Sequence, residues 1–263
     1  MRLEGKVALI TGASSGIGKG IALRFAREGA KVGVNYLGGG TRQADAQAVV
    51  DEAGGADVAI ALEGDVTKRE DMERAVKQLV DKFGRLDIAV NNAGIEIKRP
   101  FLEVPDEEWD RVVAVNLRGP FLVSQIAGRQ MVAQPMRDGS ESRGKIVNIS
   151  SVHEDIPFPQ FTAYCAAKGG VRMLMRNIAV ELAEQKINVN NIAPGAIATP
   201  INQSVLNDPE AMKNAISEIP WGRFGTPDEV AKVAVFLASD DADYVSGSTY
   251  YVDGVLTQQV TIY

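Results

Sequence analysis

A chain of 263 residues, 45% hydrophobic and 24% charged, carries enough apolar content to bury a sizeable core. Its formal charge of −6, with no cluster of Lys and Arg, argues against nucleic acid or an anionic membrane and makes a small molecule the expected partner. One cysteine, Cys165, excludes an intramolecular disulfide, no apolar run approaches the ~18 residues of a membrane span, and the first residues lack a secretion-signal pattern, so the expected compartment is the cytoplasm.

Short apolar runs alternate with longer amphipathic stretches, the pattern of βαβ units. A strand is predicted at residues 6–11, a helix at 16–28 and a strand at 31–36. A helix follows at 41–53, a strand at 57–62, a helix at 68–83 and a strand at 86–91. Each strand needs a crossover before the next, so parallel pairing is expected. The alternation continues with a long helical stretch from 106 to about 136, a strand at 145–150, a helix at 162–185 and a strand at 187–192. Residues 196–220 show no clear element, and their Pro, Asn and Asp with interspersed apolar residues suggest a lid-like loop with short helices. A helix at 227–238 and a strand at 248–252 complete a Rossmann-type α/β fold, a doubly wound parallel sheet. No linker, repeat or low-complexity stretch divides it, so residues 1–263 are expected to form a single domain.

After the first strand stands Thr11-Gly12-Ala13-Ser14-Ser15-Gly16-Ile17-Gly18-Lys19, which opens a helix. Missing Cβ atoms let backbone approach a pyrophosphate, and the N–H groups of a helix start face its charge. Gly12, Ser14, Ser15, Gly16, Ile17 and Gly18 are therefore candidate dinucleotide contacts, with an ordinary glycine-rich turn as the alternative. A P-loop is excluded, because the position five after Gly12 is Ile17 rather than glycine. An acid ending the second strand would accept from the adenosine ribose 2′-hydroxyl and repel a 2′-phosphate. Val34-Asn35-Tyr36-Leu37 holds none, and the nearest base, Arg42, lies beyond Gly38-Gly39-Gly40. Use of either NAD or NADP is expected, with Tyr36 among the cofactor contacts.

Tyr164 and Lys168 stand four apart in a helical stretch, hence on one face. An ammonium beside a phenol, together with the positive ring of an oxidised nicotinamide, favours the phenolate and makes tyrosine a usable base. The spacing alone equally describes two surface residues. Joined in order by Thr11 to Gly18, Asp65, Asn91-Asn92-Ala93-Gly94, Asn116, Ile146-Val147-Asn148-Ile149-Ser150-Ser151 and Pro194-Gly195, it resembles the short-chain dehydrogenase/reductases over essentially the whole chain. That resemblance implies hydride transfer between a dinucleotide and an alcohol or carbonyl, without a metal. It assigns Ser151 to the substrate oxygen, with Ser150 competing, and gives Lys168 the nicotinamide ribose. Asn116 would hold a water that relays protons from the lysine, or else satisfy buried backbone. Asp65 would face the adenine, with Val66 among the cofactor contacts, and Asn91 the ribose unless it stabilises the strand end. Asn92, Ala93 and Gly94 would pass close to the cofactor, and Pro194, Gly195, Ile197 and Thr199 would clasp the carboxamide.

Three stretches narrow the resemblance to bacterial glucose 1-dehydrogenases: Asn91-Asn92-Ala93-Gly94-Ile95-Glu96, Ser150-Ser151-Val152-His153-Glu154-Asp155-Ile156-Pro157, and residues 190–202 through Asn202. It implies oxidation of the anomeric carbon of a glucose-like sugar to the lactone, His153 and Asn202 as partners of sugar hydroxyls, and a homotetramer. Two positions depart from that pattern: Val255 where a second glycine is usual, and Leu37 where an arginine often stands. Glu96 reads as a solvated or subunit-contact acid, and Cys165 as a small packed side chain. The competing readings are reduction of another carbonyl such as a 3-oxoacyl thioester, a polyol dehydrogenase, and a non-catalytic dinucleotide sensor. The last would tolerate loss of Asn116, Ser151, Tyr164 and Lys168, all of which are present.

Overall fold

Strands that are apolar on both faces need cover on both faces, and that requirement organises the molecule. The structure, a computed structural model, describes residues 1–259 apart from the side chain of Ser204. The last four residues of the expected 1–263 domain lie outside it. The strands are β1 (Val7–Ile10), β2 (Lys31–Tyr36), β3 (Ala59–Glu63), β4 (Ile88–Asn91), β5 (Gly144–Ile149), β6 (Ile187–Pro194) and β7 (Thr249–Val252). They form one sheet in the order β3-β2-β1-β4-β5-β6-β7, every pair parallel. The strands β1, β4, β5 and β6 are buried at every position. This is the doubly wound Rossmann arrangement, and its order reverses between β1 and β4, where a crevice opens at the carboxyl ends.

The helices are α1 (Gly16–Arg27), α2 (Arg42–Ala53), α3 (Arg69–Phe83), α4 (Asp106–Val113), α5 (Gly119–Ala133), α6 (Thr162–Glu181), α7 (Gln203–Leu206), α8 (Pro209–Ser217) and α9 (Pro227–Ala238). Ile21 and Phe25 of α1, Val49 of α2 and Val230 of α9 join the core on one sheet face. Met72 and Leu79 of α3, Val123 of α5 and Met175 of α6 join the core on the other.

Two helical expectations are corrected. The stretch from 106 to 136 is interrupted by a π-helical turn at Ala114–Arg118 and ends at Ala133. Pro120 causes the interruption: it has no N–H to give the carbonyl of Asn116, and its ring crowds that carbonyl. Gly119 N–H accordingly bonds to Ala114 O, five residues back. The helix expected to reach residue 185 stops at Glu181. Its chain turns there, with Ile187 N–H on Leu182 O at 3.2 Å and Lys186 at φ 59°.

A row of polar side chains crosses the apolar sheet near its carboxyl edge. Asn91, Asn148, Asn191 and Thr249 are successive register partners on β4, β5, β6 and β7. Asn91 Nδ2 donates to Asn148 Oδ1 at 2.8 Å, and Asn148 Nδ2 to Asn191 Oδ1 at 2.9 Å. Ser124 of α5 takes a second bond from Asn91 Nδ2 at 2.9 Å. Within a buried sheet such groups need partners, and the row supplies them to all but Asn91 Oδ1 among the described residues.

The segment 196–220 holds a 3-10 turn at Pro200–Asn202 followed by α7 and α8, and Trp221 N–H returns to Gly254 O at 3.1 Å. Next to that return, Val255 sits at φ 73°, the left-handed region that a β-branched residue disfavours. It occupies the position where a second glycine is usual in the resembled group. We expect Val255→Gly to stabilise the protein by about 1 kcal/mol in denaturant melts, after part of the relieved strain is offset by the added freedom of the unfolded chain.

Candidate active site

Carboxyl ends of β1, β4, β5 and β6 and the helix starts behind them border a cleft of about 1050 Å³. At one side the turn from Gly12 to Gly18 leads into α1, whose first turn carries no acidic residue and no side-chain cap. The N–H groups of that turn are left for an anion. Gly12, Ser14, Ser15, Gly16 and Ile17 line the cleft. A Cβ on Gly16 would stand 3.6 Å from Thr199 across the cleft, and a Cβ on Gly18 only 2.5 Å from Asn92 Nδ2 and from Gly12 O. Gly16 sits at φ 54°, the left-handed region that glycine supplies to this turn, while Gly18 allows the helix to pack on the loop after β4. Together with the buried, unpartnered Ser150 Oγ on the cleft wall, these features fit a bound dinucleotide.

Asp65, Val66, Asn92, Ala93, Gly94, Pro194, Gly195, Ile197 and Thr199 also line the cleft. Asp65 Oδ1 accepts from Thr67 N–H and its hydroxyl, so the carboxylate also shapes its own turn. Asn92 Nδ2 bonds Thr11 O and Gly12 O at 2.8 and 3.0 Å, tying the β4 end to the glycine turn. Two expected contacts fall elsewhere. Tyr36 is buried in the core beside Glu63, its hydroxyl 3.5 Å from that carboxylate, while its neighbours Asn35 and Leu37 and the more distant Arg42 line the cleft. Strand alternation explains the swap, since adjacent side chains point to opposite faces. Asn91 is held in the amide row rather than at a ribose.

Ser151, Tyr164 and Lys168 converge at the inner end, while Asn116 lies outside the cleft lining. Ser151 follows β5, lines the cleft with Tyr164, and its Oγ accepts from His153 N–H at 3.2 Å. Lys168, one turn along α6, donates to Ile149 O at 2.8 Å and lies 5.5 Å from the Tyr164 ring centre. Burial pushes the Tyr164 phenol up to about 12, with the Ser151 hydroxyl opposing it. Burial pulls the Lys168 ammonium down to about 8, opposed by the carboxylates of Glu154 and Glu96. Asn116 uses its whole side chain on one residue: Oδ1 accepts from Ile95 N–H at 2.9 Å and Nδ2 donates to Ile95 O at 2.7 Å. Its side chain therefore satisfies buried backbone, and Pro120 withholds the α-helical donor from its main-chain carbonyl.

His153 and Asn202 line the same cleft. The His153 ring stacks on Phe158 with centroids 4.3 Å apart, and its Nδ1 lies 3.3 Å from Ile156 O. Asn202 Nδ2 bonds Ile197 O at 2.8 Å, so its donor braces the lid-like segment itself. Sequence reasoning placed Glu96 in solvent. It instead lines the cleft, where burial raises its pKa against the influence of Lys168. The position directly after the Asn92-Ala93-Gly94-Ile95 approach was the available signal.

Residues 12–257 match the family described as Enoyl-(Acyl carrier protein) reductase. The chain is 44% identical to 3beta-hydroxysteroid dehydrogenase 1 of Eggerthella lenta, over 97% of this chain and 95% of that one. It is also 44% identical to a 3-oxoacyl-(acyl-carrier-protein) reductase of Thermotoga maritima, over 97% and 99%. Glucose 1-dehydrogenase of Gluconobacter oxydans is 41% identical over 97% and 93%. Among solved structures, a gluconate 5-dehydrogenase from Burkholderia cenocepacia in complex with NADP and tartrate superposes with a TM-score of 0.88 at 34% identity, covering 98% of each chain.

The left-handed backbone at Gly16 gives a test of the turn's role. Gly16→Val would strain that turn and set a side chain against Thr199, and we expect dinucleotide affinity, measured by fluorescence titration, to fall at least about tenfold, or about 1.4 kcal/mol.

Proposed function

The chain belongs to the short-chain dehydrogenase/reductase family and is an NAD(P)-dependent oxidoreductase; from that premise we propose that it oxidises a glucose-like aldose at the anomeric carbon to the lactone. The observation that carries this reading is the set of hydrogen-bonding groups beside Tyr164. Ser151, His153 and Glu96 line one cleft with it. His153 donates from Nδ1 to Ile156 O, and burial pulls its pKa down, so Nε2 is a neutral acceptor for a substrate hydroxyl. The half-buried Glu96 carboxylate accepts from another. A polyhydroxylated ligand satisfies such groups, whereas an apolar one would strand them without water.

In this reading Tyr164 takes the proton of the reacting hydroxyl while Ser151 donates to the same oxygen. The nicotinamide, when bound, supplies the hydride acceptor. At neutral pH the buried phenol holds its proton, so base action needs positive charge beside it. Lys168 brings one such charge, and the oxidised nicotinamide ring brings a second. The glycine turn, Asp65, Val66, Asn92 to Gly94, and Pro194 to Thr199 hold the dinucleotide. Both NAD and NADP are accepted, because no acid lines the ribose end to repel a phosphate. Arg42, without an ion-pair partner among the described residues, can meet that phosphate. Residues 196–220 act as the lid. Exposed Phe101, Leu102, Phe121, Met173 and Val180 form the contacts of a homotetramer.

A second reading, oxidation of a hydroxysteroid, is favoured by the apolar cleft residues Ile156, Phe158, Val205 and Leu256. Dinucleotide reduction followed with aldoses, gluconate-type acids, hydroxysteroids and 3-hydroxyacyl thioesters separates the readings. Turnover of a steroid or thioester without any sugar would overturn the sugar assignment. With the sugar, we expect His153→Leu to raise KM at least about tenfold with a smaller effect on kcat. Tyr164→Phe should lower kcat by about a thousandfold or more, leaving dinucleotide affinity within about threefold.

A further inference from the structure

The amide row ends on a carboxylate. Asn191 Nδ2 donates to Glu154 Oε2 at 3.0 Å, and the Thr249 hydroxyl donates to Glu154 Oε1 at 2.7 Å. The Glu154 side chain is fully buried. An ionised carboxylate only accepts, so Asn191 must turn its NH₂ toward Glu154, and its Oδ1 must then receive from Asn148. Asn148 in turn receives from Asn91. The three amides therefore point the same way, and their donor ends all face the acid. Asn91 pays for this order: its Nδ2 makes two bonds while its buried Oδ1 has no partner among the described residues. The alignment is imposed from the Glu154 end.

The acid also faces α6. Tyr164, Lys168 and Arg172 are spaced four apart and share one face of that helix. Arg172 Nε lies 3.7 Å from Glu154 Oε1, and a Cβ on Gly169, the residue after Lys168, would lie 3.9 Å from Glu154 O. The 3-10 turn Val152–Glu154 that presents the acid begins directly after Ser151. One carboxylate thus touches β6, β7 and the helix of the catalytic pair.

We propose that Glu154 is a positioning residue for the reaction: it anchors the amide row and supplies the fixed negative charge that the Lys168 ammonium faces from inside the protein. This rests on the hydride-transfer reading of Tyr164 and Lys168, and not on which alcohol is oxidised. The charged and titratable groups around Glu154 are Lys168 and Arg172 on α6, Asp155 on its own turn, and Tyr251 on β7, whose hydroxyl donates to Asp155 at 2.8 Å. Around Lys168 they are Tyr164, Glu96 and Glu154. Lys168 is held near 8 with both carboxylates in place. Removing the inner one strips support from the charged form, so the ammonium would be lost at lower pH.

Glu154→Gln keeps the shape and removes the charge. The test is the pH profile of kcat/KM for the parent, Glu154→Gln and Arg172→Met with the alcohol turned over fastest. We expect the alkaline limb of Glu154→Gln to move acidward by about one pH unit, with kcat falling more than KM rises. Arg172→Met removes a cation that pairs with Asp155 and lies 3.7 Å from the Glu154 carboxylate, and should move the limb the other way, which keeps the test decisive if Glu154→Gln does not fold. If the limb stays in place in every variant that folds, with only the melting temperature changed, Glu154 is a structural acid and the proposal fails. Full turnover by Tyr164→Phe would instead defeat the hydride-transfer reading, and the Glu154 role with it.

Discussion

An ammonium held inside a protein sets the terms for everything around it. Lys168 has lost its water, and a buried cation persists only where carbonyl oxygen and negative charge replace that water. Ile149 O, at the end of β5, gives the direct hydrogen bond. Glu154 and Glu96 give the charge, one from a fully buried side chain and one from the cleft wall. Since Ser151 and Glu154 lie within five residues of Ile149 along the chain, the end of β5 fixes the lysine's environment and the substrate's hydrogen-bond donor together. A shift of that strand end would disturb both.

The break in the α4–α5 helix serves the same region. Pro120 leaves the Asn116 carbonyl without its α-helical donor, while the Asn116 side chain clamps both polar groups of Ile95. Ile95 precedes Glu96, so the clamp also sets the loop that brings this carboxylate to the cleft. The site therefore draws on four strand ends and one interrupted helix. The irregular geometry sits where the chemistry is, and the regular βαβ units behind it supply the rigidity.

The parallel sheet, its crossovers and the glycine turn were legible in the sequence because periodicity and punctuation are local properties. The α2 and α9 helices and β2 were placed within a residue for the same reason. Pro120 was visible in the sequence too, but apolar residues continue on both sides of it, and one inserted residue does not mark a break in them. The inward side chain of Tyr36 was not legible, because strand periodicity gives alternation without saying which face meets the cleft. Glu96 and Glu154 were harder still. An acid's burial depends on what packs against it from elsewhere in the chain, and both meet α6, a helix that begins eight residues after Glu154. The amide row belongs to that same class, since Asn91, Asn148 and Asn191 are far apart in sequence and meet only through strand register.

That row bears on how the chain finds its fold. Parallel strands joined by long crossovers close large loops before their contacts form, and apolar strands such as β4, β5 and β6 would slide past one another at little cost. A slip of two residues keeps the same faces inward, so hydrophobic burial alone barely opposes it. Here such a slip would set Asn148 opposite an alanine or valine and leave several amide groups dry and unpaired. The asparagines thus act as a key cut for a single alignment, and a sheet that would otherwise tolerate several has one that links its amides.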